Sequence, residues 1–139
     1  MSLKKAESKF AVIGRPVNHS LSPFIHKAFA KQWSAKLDYQ AIEIEQNQLV
    51  AGLAKLALND TYGLNVTLPH KRAVLALCHS LTERAKRAQA VNTLTLKDGS
   101  WHGDNTDGAG LVNDLTQRHG IDLRSRRTLL LGSGGAAFG

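Results

Sequence analysis

The sequence predicts an α/β fold, and three observations lead to this prediction. Short apolar runs of β-forming residues alternate along the chain with segments in which apolar residues recur at helical spacing. Polar clusters follow the apolar runs, as they do at the ends of strands in open α/β sheets. Near its end the chain contains Leu-Gly-Ser-Gly-Gly-Ala at residues 131–136, which is typical of a turn between a buried parallel strand and a helix. We therefore predict a three-layer α/β sandwich, followed by the first strand and Gly-rich loop of a Rossmann domain.

The first predicted elements are a strand over residues 10–14 and a helix that begins at Ser22 and Pro23. Serine can cap the free N–H groups of a helix, and proline suits the first helical position. The predicted buried face of this helix consists of apolar residues at helical spacing, Ile25, Ala28, Phe29 and Trp33. A second strand is predicted over residues 37–44. The helix after it is defined by Leu49, Leu53, Leu56 and Ala57.

A third strand over residues 63–67 is ended by Pro69, because proline cannot donate to a strand ladder. A helix over residues 71–77 and a short helix capped by Thr82 follow. Residues 90–96 and 100–102 are predicted strands of a hairpin, joined by Lys-Asp-Gly. The last helix is predicted over residues 107–119, with Leu111, Val112 and Leu115 on one face.

The domain organisation follows from this order of elements. Residues 1–8 are predicted to be a disordered N-terminal extension, residues 9–119 one domain, and residues 120–126 a polar hinge. Residues 127–139 are then the start of a second domain, with a strand over residues 128–131. The predicted glycine-rich loop normally opens a helix, and none follows it in this sequence. The chain is therefore either a fragment of a longer enzyme, or its glycines form a tail that holds no cofactor.

Composition narrows the class of protein. A chain of 139 residues with 42% hydrophobic content fits one ordinary soluble domain, and its apolar runs are far too short to span a bilayer. The N-terminus has lysines but no apolar core of a secretory signal. The single cysteine, Cys78, cannot form an internal disulfide and lies in an apolar stretch. We predict a cytoplasmic protein that does not bind membranes, with Cys78 as a small core residue.

The formal charge of +7 raises the question of a nucleic-acid partner. The basic residues are scattered, without interleaved aromatic residues or a nucleic-acid-binding motif, so we predict no nucleic-acid partner. Small anionic ligands would be attracted by the same charge. The six histidines show no metal-ligand spacing, and we predict no metal site.

Four polar clusters lie at predicted strand ends and loops, where α/β sheets bind their ligands. Ser20 and Ser22 stand at a helix start, where they either bind a carboxylate or polyhydroxy ligand or act only as loop and cap residues. Asn65 and Thr67 share one face of a strand and can meet one ligand. Lys71 opens a helix, where the macrodipole disfavours its charge, so it is either functional or an ordinary surface lysine.

The other two clusters contain Asn92 and Asp107. Asn92 begins an otherwise apolar strand, and its amide either meets a ligand or satisfies a neighbouring backbone group. Asp107 belongs to the run Gly-Asp-Asn-Thr-Asp-Gly, which is commonly a turn and helix cap. Its carboxylate can alternatively orient a substrate hydroxyl or exchange a proton with a nearby lysine.

Five motifs in this order closely resemble the shikimate dehydrogenase family. They are Ser-x-Ser-Pro, Asn-Val-Thr-x-Pro-x-Lys, Ala-Val-Asn-Thr, Gly-Asp-Asn-Thr-Asp-Gly and Gly-x-Gly-Gly-Ala, and the resemblance covers residues 10–139. It implies NADP-dependent, reversible reduction of 3-dehydroshikimate to shikimate in the pathway to chorismate and the aromatic amino acids. Residues 9–119 would then be the shikimate-binding catalytic domain, and residues 127–139 the start of a truncated NADP-binding domain.

The resemblance also implies roles for particular residues. Ser20 and Ser22 would bind the substrate carboxylate. The partners of the ring hydroxyls would be Thr67, Asn92 and Asp107, with Asn65 close by. Lys71 would be the catalytic acid–base residue paired with Asp107, and whether it transfers the proton or positions the hydroxyl is open. The cofactor would contact Glu83 and the pyrophosphate loop, which comprises Gly132, Ser133, Gly134, Gly135 and Ala136.

The resemblance implies a protein about twice as long, so we assign the activity to the full-length form and expect this 139-residue chain alone to be inactive. Two alternatives remain. One is a quinate/shikimate dehydrogenase that uses NAD, and the other is a non-catalytic substrate-binding fragment. Assembly as a homodimer is left open by the sequence.

Overall fold

The computed structural model describes residues 8–132, 134 and 137. Within this part of the chain, one sheet contains the strands β1 (Ser8–Gly14), β2 (Leu37–Glu43), β3 (Thr61–Val66), β4 (Ser80–Leu81), β5 (Thr93–Lys97) and β6 (Ser100–Asp104). The α-helices are α1 (Ser22–Gln32), α2 (Leu49–Leu58), α3 (Glu83–Ala88) and α4 (Asp107–Asn113). Two 3₁₀ turns, Gln46–Gln48 and Ala73–Leu77, and one π-helical turn, Asp114–Arg118, complete the list. The predicted α/β class is confirmed.

The sheet is mixed, with strand order β2-β1-β3-β5-β6-β4. Strand β1 pairs in parallel with both β2 and β3, whereas β5 runs antiparallel to β3 and β6. The carboxyl ends of β1 and β3 therefore lie side by side, and the loops that follow them meet at one edge of the sheet. Strand β4 was not predicted, because two residues are too few to show a periodic pattern.

Alternating residues of β1 enter two cores on opposite faces of the sheet. Ala11 and Ile13 belong to the larger core, which α2 and α3 cover, and Val12 belongs to the smaller core with Tyr39. The ring of His26, on α1, stacks on Tyr39, so α1 lies over the second face. Helices on both faces produce the three layers that the alternation of elements predicts.

The predicted helix-capping role of Ser22 and the predicted buried face of α1 are wrong. Leu21 holds the N-cap position without a side-chain cap bond, and Ser22 is already helical. The apolar stripe of α1 faces away from the sheet, and Trp33 is 86% exposed. Half-buried residues such as Pro23 and His26 lie on the other side of the helix. Periodicity locates an apolar stripe, but it does not determine whether the rest of the chain covers it.

The predicted C-terminal strand is also absent from the described residues. Residues 128–132 have no strand assignment, and Leu131 is 88% exposed. A parallel strand exists only by hydrogen bonding to a neighbour, and no strand among residues 8–132 pairs with this segment.

The ends of several elements differ from their predicted positions. Strand β1 begins at Ser8, which the sequence assigned to the extension, whereas residues 1–7 lie outside the described part. The helix predicted from Lys71 is a 3₁₀ turn that begins at Ala73, and the last helix is α-helical only to Asn113 before its π turn. These shifts arise at helix ends, where capping and local hydrogen bonding override the pattern of apolar residues.

Cys78 lies half-buried beside the larger core, and its thiol donates to the backbone oxygen of Val74 at 3.2 Å. Burial raises the pKa of Cys78 to about 11 from 9.0. Since the thiolate is the reactive form, the folded chain is expected to react with a disulfide reagent at pH 8 about 100-fold more slowly than the unfolded chain. Thiol-exchange kinetics with and without denaturant measure this ratio. Equal rates would contradict the packing described for Cys78.

No helix in the described part of the chain is long and apolar enough to cross a membrane. The same residues contain no group of three or more histidine, cysteine or acidic side chains arranged to hold a metal ion.

Candidate functional site

A cleft of about 510 Å³ opens where the loops after β1 and β3 meet. All residues with a predicted catalytic or substrate-binding role line it, namely Ser20, Ser22, Asn65, Thr67, Lys71, Asn92 and Asp107. A larger groove of about 760 Å³ lies between α2 and the edge strand β2. It contains none of these residues, so the smaller cleft is the candidate active site.

Strand pairing places the residues of β3 in the cleft. Asn65 lies near the carboxyl end of β3, and Thr67 follows it, with its N–H donating to the backbone oxygen of Ile13 at 2.9 Å. The N–H of Val66 donates to the backbone oxygen of Asn92 at 2.8 Å. The segments of Thr67 and Asn92 are thus fixed to one another through the backbone.

Lys71, Asp107 and Asn92 form the polar centre of the cleft. The Nζ of Lys71 lies 2.6 Å from Oδ2 of Asp107, and Nδ2 of Asn92 donates to Oδ1 of Asp107 at 2.7 Å. The Lys71 side chain is 13% exposed and that of Asp107 is 28% exposed. Partial burial limits solvent screening, so this ion pair is stronger than an exposed one.

Asp107 is held by the turn that precedes α4. Its N–H donates to Oδ1 of Asn105 at 3.0 Å, and the Asn105 amide in turn donates to the backbone oxygen of Ala90 at 3.0 Å. Asn105 is buried, so this link is protected from water. Asn92 accepts from the N–H of Thr106 at 3.0 Å. The same polar turn therefore orients both Asp107 and its partner Asn92.

Two serine hydroxyls lie together at the start of α1. The Oγ atoms of Ser20 and Ser22 are 3.1 Å apart, and the N–H of Ser22 donates to Oγ of Ser20 at 3.2 Å. Ser20 therefore satisfies a free N–H at the helix start, a role that the sequence assigned to Ser22. The positive end of an 11-residue helix favours an anionic group beside these hydroxyls.

Sequence reasoning missed Tyr39 and His26. The Tyr39 hydroxyl donates to Oδ1 of Asn65 at 2.6 Å, and burial raises the pKa of Tyr39 to about 12 against the opposing effect of the Ser22 hydroxyl. Tyr39 thus stays a donor at neutral pH and occupies the Asn65 oxygen. The NH₂ group of Asn65 is the donor that this amide offers. His26 lines the cleft, and its ring stacks on that of Tyr39, with 4.4 Å between the ring centroids and an angle of 6° between the ring planes. Burial lowers the pKa of His26, with hydrogen bonding to Asn65 opposing the shift.

The loop at the rim of the cleft is tied to β2 by Glu43. Its carboxylate accepts from the Arg15 guanidinium at 2.5 Å and from the N–H of Val17 at 3.1 Å. The Val17 N–H is the largest influence that lowers the pKa of Glu43, and Arg15 adds to it. Arg15 also pairs with Glu45 at 3.0 Å. Two carboxylates thus neutralise the one arginine that lines the cleft among the described residues.

The predicted cofactor residues that the structure describes, Glu83, Gly132 and Gly134, do not line this cleft. Glu83 begins α3, is 81% exposed and pairs with Lys86 at 2.7 Å. Gly132 has a φ of 129°, and Ala137 donates from its N–H to the backbone oxygen of Gly134 at 2.9 Å. The predictions for Ser133, Gly135 and Ala136 concern residues outside the described part.

Comparison with known proteins gives a consistent set of matches. Residues 12–94 match the family model described as the shikimate dehydrogenase substrate binding domain. A shikimate dehydrogenase (NADP(+)) from Xanthomonas campestris pv. campestris (strain 8004) is 58% identical over 95% of this chain and 47% of the relative. The same enzyme from Stenotrophomonas maltophilia (strain R551-3) is 53% identical over 93% of this chain and 46% of the relative. The chain thus spans about half the length of these relatives.

Solved structures show the same similarity. An Ael1 enzyme from Pseudomonas putida superposes with a TM-score of 0.88 at 41% identity, over 94% of this chain and 48% of that one. Shikimate 5-dehydrogenase from Thermus thermophilus, in complex with NADP(H) and shikimate, superposes with a TM-score of 0.88 at 36% identity. That match covers 94% of this chain and 49% of the Thermus chain.

Proposed function

Because the chain belongs to the shikimate dehydrogenase substrate-binding domain family, we propose that its cleft binds shikimate and 3-dehydroshikimate. We propose that the longer protein containing this chain interconverts them with NADP as cofactor. The observation that carries the proposal is the ion pair of Lys71 and Asp107 in the cleft, with Asn92 on the second carboxylate oxygen. This arrangement places a proton donor next to polar groups that can hold a hydroxylated ring.

The substrate would be held at two ends. Its carboxylate would accept hydrogen bonds from Ser20 and Ser22, beside the positive end of α1. Its ring hydroxyls would meet the amides of Asn65 and Asn92 and the hydroxyl of Thr67, all of which line the cleft. Small polar donors on separate elements fix the orientation of a ligand better than one charged contact does, which suits a reaction at a single ring carbon.

Lys71 would manage the proton. When bound, the nicotinamide accepts or supplies the hydride, and the protein must exchange one proton at the reacting oxygen. In the direction of reduction, the Lys71 ammonium would donate its proton to that oxygen. In the reverse direction, the amine would accept the proton of the hydroxyl. Asp107 would hold Nζ in place through both half-reactions, since their atoms are 2.6 Å apart.

The residues at the end of the chain fit part of a dinucleotide site. Gly132 has a φ of 129°, which side chains rarely adopt, and such a backbone allows close approach of a pyrophosphate. We propose that the pyrophosphate lies against Gly132 and Gly134, and the roles predicted for Ser133, Gly135 and Ala136 remain predictions. Glu83, exposed at the start of α3, would stand on the cofactor side of the cleft.

We also propose a cytoplasmic location, which the single cysteine favours because the chain needs no disulfide. The exposed apolar stripe of α1, which includes Phe29 and Trp33, is compatible with a homodimer. Sedimentation velocity of the longer protein measures this assembly state directly.

The proposed reaction is tested with the longer protein and four substrate–cofactor pairs. Shikimate or quinate is mixed with NADP⁺ or NAD⁺, and absorbance at the wavelength of the reduced cofactor is followed. We expect the largest kcat/KM for shikimate with NADP⁺. A preference for quinate with NAD⁺ would replace the proposal by the alternative dehydrogenase. Shikimate binding in calorimetry without turnover of any pair would identify a binding module.

A further inference from the structure

We propose that Gly14 is a positioning residue for substrate. Because Gly14 has no Cβ, the methyl group of Thr67 can lie against it, and this packing sets the orientation of Thr67 in the cleft. Gly14 is the last residue of β1 and is buried. This inference rests on the proposed function, in which Thr67 binds a ring hydroxyl. It adds a residue that touches no substrate but determines how a substrate ligand is presented.

The space beside Gly14 is filled by the Thr67 methyl group. A Cβ at position 14 would lie 2.4 Å from Cγ2 of Thr67 and 2.9 Å from the backbone oxygen of Leu68. Real Cβ atoms essentially never make contacts under 3.0 Å, so a larger residue at position 14 would force its neighbours to move. The backbone of Gly14 is not in the left-handed region, so the close approach of Thr67, rather than conformation, demands glycine here.

The backbone cannot easily relieve this crowding. The N–H of Thr67 donates to the backbone oxygen of Ile13 at 2.9 Å, and the N–H of Arg15 donates to that of Leu68 at 2.9 Å. On the other side, the N–H of Ile44 donates to the backbone oxygen of Gly14 at 3.2 Å. Hydrogen bonds to the segments that follow β2 and β3 therefore hold the backbone around residue 14 in place. A new Cβ would displace the Thr67 side chain instead.

Thr67 is β-branched, so its methyl and hydroxyl groups occupy two of three staggered positions. With the methyl against Gly14, the position of the hydroxyl is restricted as well. Thr67 lines the cleft, and its hydroxyl takes part in none of the side-chain hydrogen bonds found within the described residues. The hydroxyl is thus available to a ligand, and the packing of the methyl group against Gly14 favours the rotamer that directs the hydroxyl away from Gly14.

The test compares Gly14→Ala with Gly52→Ala in the longer protein. The three atoms nearest to a Cβ at Gly52, on α2, would all belong to the side chain of Ile44, the closest being Cδ1 at 3.0 Å, and Gly52 does not line the cleft. We expect Gly14→Ala to raise KM for shikimate about 10-fold, the effect of misdirecting one hydrogen bond, with KM for NADP⁺ and kcat changed less than about 2-fold. Gly52→Ala should leave both KM values unchanged. An equal KM for shikimate in the two variants would overturn the proposal.

A second substitution shows whether the effect passes through Thr67. Adding Thr67→Ser to Gly14→Ala removes the methyl but keeps the hydroxyl, so KM for shikimate should fall by at least about 3-fold from the Gly14→Ala value. The contact with the oxygen of Leu68 remains, so recovery should be partial. No recovery would overturn the role of Thr67.

If Gly14→Ala does not fold, the Thr67→Ser variant alone tests whether the Thr67 methyl group orients the hydroxyl. It frees the hydroxyl to rotate, and KM for shikimate should rise about 3-fold, by the loss of one fixed rotamer. An unchanged KM would overturn the proposal. Wild-type protein that turns over shikimate supports the proposed function independently of these variants, whereas a wild type that neither binds nor oxidises shikimate would overturn both.

Discussion

Replacing Lys71 with alanine in the longer protein is expected to lower kcat for shikimate oxidation by about 100-fold or more, the usual effect of removing a general acid–base group. Lys71 is the ammonium that pairs with Asp107 in the cleft, at 2.6 Å. The substitution removes the proposed proton acceptor and leaves the Asp107 carboxylate with Asn92 as its remaining side-chain donor among the described residues. Steady-state rates at saturating NADP⁺ measure the effect. A nearly unchanged kcat would end the proposed role of Lys71.

Two further variants separate the explanations for such a loss. Lys97→Ala removes an exposed lysine at the end of β5 and should leave kcat unchanged, which controls for the loss of one positive charge. Lys71→Arg keeps the positive charge and can still pair with Asp107. Because arginine stays protonated, it cannot accept the proton of the hydroxyl. A large loss in Lys71→Arg supports proton transfer, whereas an active arginine variant shows that Lys71 mainly positions the hydroxyl.

The residues that line the cleft could be predicted from the sequence because each polar cluster lies at the end of a predicted strand or in a loop. Ser20 and Asp107 lie far apart in the chain, yet both line one cleft. Parallel pairing of β1 with β3 brings the loop of Ser20 to that of Thr67, and the β3–β5 ladder brings Asn92 beside them. Strand ends that share one edge of a sheet are enough to gather these residues.

The contacts that orient the cleft could not be predicted in the same way. Tyr39 bonds to Asn65 only because β1, and no other strand, lies between β2 and β3. That strand order is not contained in the local alternation of apolar residues, which assigns Tyr39 simply to a strand. The contact of Thr67 with Gly14 likewise depends on side-chain packing between neighbouring strands, which a single sequence does not show.

The predictions of a buried apolar stripe on α1 and of a buried strand that includes the leucines at residues 129–131 are wrong for a common reason. Both have the composition of buried elements, but both are exposed in the described part of the chain. Hydrophobic pattern states which surface gains from burial, whereas burial itself depends on a second surface to pack against.

Asp107→Asn in the longer protein is expected to lower kcat/KM for shikimate by about 100-fold, although the side chain changes by only one heavy atom. Both side chains that contact the carboxylate within the described residues and line the cleft are donors, the ammonium of Lys71 and the NH₂ of Asn92. A carboxylate accepts from both, but an amide has one acceptor oxygen, and its NH₂ must face one of the two donors. Either Lys71 loses its partner or Asn92 is turned out of position.

The matched control is Asp114→Asn, which replaces a half-exposed aspartate in the π-helical turn after α4 that lies 3.5 Å from Arg118 and 3.6 Å from His119. It makes the same change of charge and should leave kcat/KM unchanged, because such pairs contribute little. An active Asp107→Asn would show that Lys71 needs no anionic partner. A loss confined to KM would instead assign Asp107 to substrate binding, since a group that holds the reacting lysine must act on kcat as well.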